Sequence, residues 1–162
     1  MSTWDVIRAT VIDEFSDIKE VDDITRVVLR VLVAALLGGL LGFEREQHGK
    51  AAGIRTHMLV AVGAALFVLA LAQSGASSDA LSRVIQGVAA GIGFLCAGTI
   101  LKSDEESKVK GLTTAAGIWL TTAIGISAGL GREGTAVACT VLALLILNVV
   151  PHCIDWLERR KQ

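Results

Sequence analysis

The stretch VVLRVLVAALLGGLLGF, residues 27–43, is apolar at every position except Arg30. A helix needs roughly 17 to 25 such residues to cross the hydrocarbon core of a bilayer, which is about 30 Å thick. Four more segments of the chain have the same character: 56–72, 84–101, 111–130 and 134–150. Because hydrocarbon offers no water to pair backbone groups, we expect all five segments to be α-helices despite their Val, Ile and Thr content.

The composition of the chain agrees with a membrane environment. Of its 162 residues, 52% are hydrophobic and 19% are charged, whereas a soluble domain carries about 25% charged residues. Aromatic residues make up 4% of the chain and no basic face is interleaved with them, which excludes nucleic acid as a partner. The predicted fold class is all-α: a polytopic membrane bundle of five transmembrane helices, surrounded by the lipid bilayer.

The chain divides into three predicted parts. Residues 1–24 place apolar side chains at steps of three and four with acidic side chains opposite, which indicates an amphipathic surface helix. Basic amphipathic helices favour anionic lipid, so we expect this acidic helix to dock on protein. Residues 25–150 form the transmembrane domain, and residues 151–162 form a tail.

The distribution of Lys and Arg predicts the orientation of the chain. With five spans, the loops 44–55 and 102–110 and the tail from 151 share one side, which carries nine Lys and Arg against five on the other side. Cytoplasmic loops are enriched in these residues. We therefore predict a multi-pass protein with its N-terminus outside and its C-terminus in the cytoplasm.

The loop between the first two spans concentrates charge at the membrane interface. Glu44, Arg45, Arg55 and His57 lie where water is scarce and charges gain most from pairing. We expect Glu44 to pair with Arg55 across the loop, while Gly53 allows the backbone to turn. Anchoring of the loop by its positive charges, with ordinary salt bridges, is the alternative interpretation.

Arg30 is the one formal charge within an apolar run. An ionisable group inside a membrane span is a candidate for function. Alternatively, Arg30 continues a local ion-pair ladder: Asp22 and Asp23 lie four and three residues before Arg26, which lies one helical turn before Arg30.

The fourth span opens with the motif GLTTAAGIW, residues 111–119. Thr113 or Thr114 can cap this helix or hydrogen-bond across to another helix. The small residues before Trp119 could instead form a ligand groove, and the helix N-terminus beside it would favour an anion.

Small residues spaced four apart predict close packing of the helices. The glycine pairs are Gly38 and Gly42, Gly87 and Gly91, and Gly125 and Gly129. Interfaces between membrane helices are enriched in such pairs, because backbones approach closely where side chains are small. Leucine at Gly91 or Gly125 is therefore expected to push helices apart. The same surfaces could also serve a homodimer.

The sequence carries no recognisable set of residues for catalysis. No zinc-protease, nucleophile-elbow or phosphate-loop motif occurs, so we expect no enzyme activity and no cofactor. Asp104, Glu105 and Glu106 could contact Mg²⁺ weakly through its bound waters, but lysines flank them and we predict no metal site. The second and fourth spans contain no Asp or Glu, which argues against an ordinary cation transporter.

Four ordered motifs resemble those of the MgtC/SapB family of bacterial inner-membrane proteins. They are GGLLGFERE, AGIRTHMLV with GAALF, GIGFLCAGTIL, and GLTTAAGIWL, and they cover roughly residues 25 to 150. The resemblance implies a polar cluster of hallmark residues: Glu44, Arg45, Glu46, Gly53, Arg55, Thr56 and His57. It also implies a second motif that includes Gly111, Thr113, Thr114 and Trp119.

The resemblance also implies a function. Members of the family are linked to growth in low magnesium, acid tolerance and survival of pathogens inside host cells, and regulation of membrane ATPases has been proposed. The resemblance covers the membrane domain only, and we expect the soluble C-terminal domain of the MgtC virulence factors to be lacking. We predict a non-enzymatic inner-membrane regulator of magnesium, proton or membrane-potential homeostasis that contacts a membrane-protein partner. A small oligomeric carrier of magnesium or another ion is the alternative.

Overall fold

The computed structural model describes residues 2–14, 21–100 and 109–160. Over these ranges the chain forms six α-helices and no strand. They are α1 (Thr3–Glu14), α2 (Val21–Gln47), α3 (Ile54–Gln73), α4 (Ser78–Ile100), α5 (Leu112–Gly129) and α6 (Glu133–Arg159). The five helices from α2 to α6 are long and apolar enough to cross a membrane, which confirms the predicted all-α membrane bundle.

Most helices extend beyond the apolar segments that predict them. α2 begins at Val21 and continues to Gln47, so the Glu44–Gln47 turn is helical and does not belong to a loop. α6 continues through Pro151 to Arg159, so the segment predicted as a tail begins as part of the last helix. Hydrophobicity sets where a helix can contact lipid, and it does not set where the backbone hydrogen bonds end.

The core of the bundle lies where α2, α3, α5 and α6 meet. Its buried side chains are small or aliphatic and come from all four helices: Ala34, Leu37, Leu41, Ala61, Ala65, Ile124, Ala128, Ala136 and Ala143. Alanine is the commonest residue in this set, so the helices approach closely. In lipid such contacts stabilise a bundle through packing and not through removal of apolar surface from water.

Two glycine pairs lie at the contacts that α3 makes with its neighbours. They are Gly38 and Gly42 on α2, and Gly125 and Gly129 on α5. A methyl group added to Gly38 would lie 2.6 Å from the carbonyl oxygen of His57, and one on Gly125 would overlap the backbone of Ala61. Glycine at these positions therefore allows α2 and α5 to pack directly against the backbone of α3.

The third pair, Gly87 and Gly91, does not pack inside the bundle. A methyl group added at either position would meet no atom within 4 Å, and no residue of α4 is buried. α4 contacts α5 and α3. The expectation that Gly91 separates packed helices is nevertheless wrong, because Gly91 borders an open groove between α3 and α4 and does not lie at a close helix contact.

The N-terminal helix α1 does not dock on the bundle. All of its side chains are exposed, and within the described ranges α1 contacts none of the other helices. Residues 15–20, which were expected to continue it, lie outside the described residues. Docking on the bundle is therefore not found, and docking on another protein stays a prediction, because an apolar stripe shows that a helix can bury one face without specifying the surface that covers it.

Candidate functional site

One end of the bundle holds the α2–α3 loop, the start of α5 and the end of α6, and we call it the Arg45 end. The loop is short and is held by Glu46, whose carboxylate accepts a hydrogen bond of 2.9 Å from the backbone N–H of Ile54. Ile54 is the first residue of α3, and the preceding Gly53 provides no side-chain cap. Glu46 thus supplies the acceptor that the helix start lacks. A methyl group on Gly53 would overlap this carboxylate.

Three ionisable side chains are buried at the Arg45 end. Glu44, Arg45 and His57 are 6%, 4% and 0% exposed, respectively. Arg45 Nε lies 3.1 Å from Glu44 Oε2, although the two groups are not aligned as a hydrogen bond. Glu44 Oε1 lies 3.1 Å from Nδ1 of the half-exposed His48. The last turn of α2 therefore brings a carboxylate and a guanidinium together away from water.

The predicted pair between Glu44 and Arg55 is wrong. Glu44 contacts Arg45 and His48, and Arg55 is exposed at the start of α3. Each residue of an α-helix is rotated by about 100° from the one before, so Arg55 and His57 point to nearly opposite sides of α3. His57 takes the side that faces α2 and α5, which leaves Arg55 outside the cluster.

His57 is held by a side chain of α5. Its Nδ1 lies 2.8 Å from Thr121 Oγ1, and the Thr121 hydroxyl donates to the carbonyl oxygen of Gly117 at 2.9 Å. A hydroxyl has one hydrogen; with that hydrogen directed at Gly117, Thr121 accepts from His57 Nδ1–H, and we assign the tautomer on this basis. In the neutral imidazole Nε2 is then a bare acceptor, and it is buried without a partner among the described residues.

Arg45 also has unmet hydrogen-bonding groups. Its Nε and Nη1 atoms are buried and lack hydrogen-bond partners in the described part of the chain. A buried donor without an acceptor costs about 1 to 3 kcal/mol, and more when it is charged. The buried groups without a hydrogen bond are thus three N–H donors of Arg45 and two acceptors, Glu44 Oε2 and His57 Nε2, and Arg45 and His57 line one cavity.

Two adjacent cavities lie beside these groups. The inner cavity has a volume of about 160 Å³, and its polar lining consists of Arg45, His57 and Thr113. The outer cavity has a volume of about 520 Å³, and its polar lining consists of Arg45, His48, Lys50, Thr113, Asn148 and His152. Arg45 and Thr113 line both cavities, so the inner cavity adjoins the outer one at the end of α2 and the start of α5.

The second motif places the start of α5 at this site. Gly111 precedes the helix with a φ of +94°, a left-handed conformation that favours glycine, and no side chain caps the helix. The predicted capping by Thr113 or Thr114 is therefore wrong: Thr113 lines the cavities and Thr114 is buried. Trp119 is 51% exposed and lines neither cavity, so it does not join the groove predicted before it.

Arg30 lies at the opposite end of the bundle. Its Nη1 donates to the carbonyl oxygen of Gly129 at 3.3 Å, and its Nε lies 3.9 Å from Glu133 Oε1. The predicted ladder is formed only by Arg26 and Asp22, which are 2.7 Å apart. Arg30 thus holds the end of α5 and the start of α6, where a cation is favoured by the exposed carbonyl groups of a helix C-terminus.

The sequence did not reveal several residues of the site. Thr121 lies in an apolar span, Asn148 lies near the end of the last span, and His152 lies at the start of the predicted tail. No local pattern distinguishes them, because they reach the site only through helix packing. The carboxylates Asp104, Glu105 and Glu106 lie outside the described residues. Elsewhere, no group of three or more His, Cys, Asp or Glu side chains is placed to hold a metal ion.

Sequence comparison relates the chain to known membrane proteins. The profile of the MgtC family matches residues 31–156. SrpB of Synechococcus elongatus is 45% identical over 143 residues, which cover 80% of this chain and 79% of that protein. No solved structure matches the chain significantly.

Two further relatives are longer than the region they share with this chain. MgtC of Salmonella typhimurium is 43% identical over 117 residues, which cover 72% of this chain and 49% of that protein. The Escherichia coli protein named "Putative magnesium transporter YhiD" is 39% identical over 129 residues, which cover 75% of this chain and 59% of that protein. With a family match over most of its length and relatives at this identity, the chain belongs to the MgtC family of membrane proteins.

Proposed function

We propose that this protein is a non-enzymatic regulator in the bacterial inner membrane that acts in magnesium, proton or membrane-potential homeostasis by contacting a membrane-protein partner. The observation that carries the proposal is the placement of the buried polar cluster. Glu44, Arg45 and His57 lie at one end of a tightly packed bundle, beside cavities that adjoin that end. Such a site suits the detection of a ligand or partner from one side of the membrane.

The packing of the bundle supports regulation over transport. Between the cluster and Arg30 at the other end, the described core is formed by buried Ala, Leu and Ile side chains of α2, α3, α5 and α6. The glycine contacts of α2 and α5 with α3 bring these helices together over the same region. An ion that crossed a single copy by this route would have to leave its hydration shell among apolar side chains, which is costly.

The surface we assign to the partner helix is a groove of about 610 Å³ between α3 and α4, and its lining is almost wholly apolar. Gly63, Gly87 and Gly91 line this groove, so its floor is smooth enough for the close approach of another membrane helix. A second copy of this chain is the competing occupant, which would give a homodimer.

An oligomeric ion carrier is the second candidate function. It is favoured by the name of YhiD, which describes that relative as a magnesium transporter. In this case the ion would pass between copies of the chain and not through one bundle. We place the Arg45 end in the cytoplasm under both proposals, because the loops and tail on that side carry more Lys and Arg.

The experiment that separates these functions combines flux and capture. Purified protein in liposomes is tested for Mg²⁺ flux, and tagged protein is used to capture partners from native membranes. We expect no flux and co-purification of a membrane protein. Flux that is abolished by Glu44→Gln would overturn the regulator proposal.

A matched pair of variants on α4 tests the assigned surface. Gly91→Leu and Gly93→Leu both add a side chain where a methyl group meets nothing within 4 Å, but only Gly91 lines the groove. We expect both variants to fold and only Gly91→Leu to lose the partner. Equal capture by the two variants would remove α4 from the proposal.

A further inference from the structure

We infer that the Arg45 end contains a binding site for a phosphate monoester or hydrogen phosphate group, formed by Arg45, His57 and the N-terminus of α5. The site is separate from the α4 surface, and it does not depend on whether the protein is a regulator or a carrier. Four features of the described residues lead to this ligand class.

The first feature is the guanidinium of Arg45. Arg45 is only 4% exposed, and it lines both cavities. Its Nε and Nη1 carry three N–H groups without hydrogen-bond partners, and the contact with Glu44 Oε2 at 3.1 Å is poorly aligned. A guanidinium holds its N–H groups in a rigid planar fork. Two of these N–H groups can therefore donate to two oxygens of one phosphate group.

The second feature is the start of α5. Its first N–H groups have no side-chain cap, and the first turn reaches the site at Thr113, which lines both cavities. A helix N-terminus carries unpaired N–H groups and a partial positive charge of roughly half a unit, which favours an anion. The helix end and Arg45 therefore favour the same sign of ligand at the same place.

The third feature is the charge of the cavity walls. The charged residues that line the two cavities are Arg45 and Lys50, and the described lining contains no Asp or Glu. His48 and His152 add imidazole groups to the outer cavity. Glu44 contacts Arg45 but lines neither cavity. Mg²⁺ is bound by carboxylate and carbonyl oxygens, so these walls suit an anion and not a divalent cation.

The fourth feature is the bare Nε2 of His57, which narrows the ligand class. In the tautomer assigned above, Nδ1–H donates to Thr121, so the buried Nε2 of the neutral ring accepts a hydrogen bond and does not donate one. An oxyanion satisfies both Arg45 and His57 only if one of its oxygens still carries a hydrogen. Hydrogen phosphate and phosphate monoesters meet this condition near neutral pH, since their second ionisation lies at about pH 6 to 7. Sulfate and phosphodiesters do not.

The ligand can reach the site from two sources. Soluble inorganic phosphate would enter through the outer cavity, and phosphatidic acid would present its monoester headgroup from the lipid. Full-length protein in nanodiscs of zwitterionic lipid is titrated with inorganic phosphate by calorimetry, with sulfate as the matched anion. In parallel, nanodiscs that contain phosphatidic acid or phosphatidylglycerol are compared by native mass spectrometry for retained lipid.

We expect either phosphate to bind in preference to sulfate or phosphatidic acid to be retained in preference to phosphatidylglycerol. The first result identifies a soluble ligand and the second a lipid. Absence of both would overturn the proposal, and equal binding of sulfate and phosphate would overturn the role given to His57.

Variants that keep the fold make the test specific. Arg45→Lys retains the charge but loses the paired N–H groups of the guanidinium, and we expect the affinity for phosphate to fall at least about tenfold. Gly117→Ala would place a methyl group 3.6 Å from His57 Cε1 and 3.8 Å from Arg45 Cδ, which narrows the inner cavity without overlap. Lys50→Gln removes an exposed cation of the outer cavity, and Arg55→Gln removes an exposed cation outside both cavities.

We expect Gly117→Ala and Lys50→Gln each to weaken binding severalfold and Arg55→Gln to leave it unchanged. If Arg55→Gln weakens binding as much as Lys50→Gln, the anion is attracted by surface charge in general and the assigned site is wrong.

Discussion

At the scale of single residues, two adjacent threonines of α5 have different roles at the Arg45 end. Thr121 and Thr122 are adjacent and both buried, and both hydroxyls donate to a carbonyl four residues earlier. Only Thr121 also accepts from His57. The difference of one residue turns the hydroxyl toward α3, so Thr121 links two helices and Thr122 does not.

This difference gives the first prediction. Thr121→Val keeps the shape of the side chain but leaves His57 Nδ1–H buried without an acceptor, which should destabilise the fold by about 1 to 3 kcal/mol. Thr122→Val loses only a bond to its own helix and should cost less. The free energy of unfolding in mixed detergent is the measurement. Equal losses for the two variants would contradict the link between His57 and Thr121.

A second prediction concerns the start of α3. Glu46→Ala removes the acceptor for the N–H of Ile54 and should cost about 0.5 to 2 kcal/mol, the range found for loss of a helix cap. Glu46→Gln keeps a side-chain oxygen that can accept the same bond, so most of the stability should remain. Thermal unfolding of both variants in detergent checks this. If Glu46→Gln destabilised the protein as much as Glu46→Ala, the charge of Glu46 and not its role as a helix cap would explain the loss of stability.

At the scale of helices, glycine pairs with the same four-residue spacing lie at close helix contacts in two cases and not in the third. The pairs on α2 and α5 face the backbone of α3, whereas the pair on α4 borders an open groove beside α3. All three pairs look alike in sequence, because a four-residue spacing places two residues on one face of a helix without identifying what that face meets.

The third prediction follows from this contrast. Gly125→Leu should reduce the yield of folded protein sharply, since even a methyl group would overlap the backbone of Ala61. Gly91→Leu should leave the yield near that of the unaltered protein. The fraction that elutes as one symmetric peak in size-exclusion chromatography in detergent is the readout. A similar fall in yield for Gly91→Leu would show that this face of α4 is packed.

A fourth prediction concerns the end of α5. Arg30→Leu removes the donor to the carbonyl oxygen of Gly129 and should lower the melting temperature in detergent. Arg26→Leu, four residues earlier, removes only an exposed ion pair with Asp22 and should have little effect. If Arg30→Leu and Arg26→Leu lowered the melting temperature equally, the ion pairs within α2 would contribute as much as the contact of Arg30 with α5.

At the scale of the whole molecule, five helices long and apolar enough to cross a membrane predict that the N-terminus and the C-terminus lie on opposite sides of it. The start of α2 and the turn between α5 and α6 lie at the Arg30 end, and the end of α6 lies with Arg45 and Thr113 around the outer cavity. The arrangement separates Arg30, which joins helices, from the polar cluster, which lies beside the cavities.

The fifth prediction tests this topology. Tags placed before α1 and after Arg159 should be accessible from opposite sides, with the C-terminal tag in the cytoplasm because Lys and Arg are enriched on that side. Labelling by an impermeant reagent in intact spheroplasts and in inverted vesicles provides the measurement. Two tags accessible from the same compartment would require four or six spans.

The sequence alone determined the number of apolar spans, the all-α class, the family and the segment 44–57 that contains the polar cluster. These features depend on local properties: the length of an apolar run, the absence of water in hydrocarbon, and ordered motifs along the chain. They follow from neighbouring residues and need no knowledge of how the helices are arranged.

Only the tertiary structure decided which residues meet. Glu44 contacts Arg45 and not Arg55, because two positions along α3 point to opposite sides of the helix. The bond between His57 and Thr121 joins residues 64 positions apart, and Gly125 packs on Ala61 while Gly91 packs on nothing described. In a bundle whose helices are all apolar, the packing of small residues selects the facing sides, and that selection depends on all the helices together.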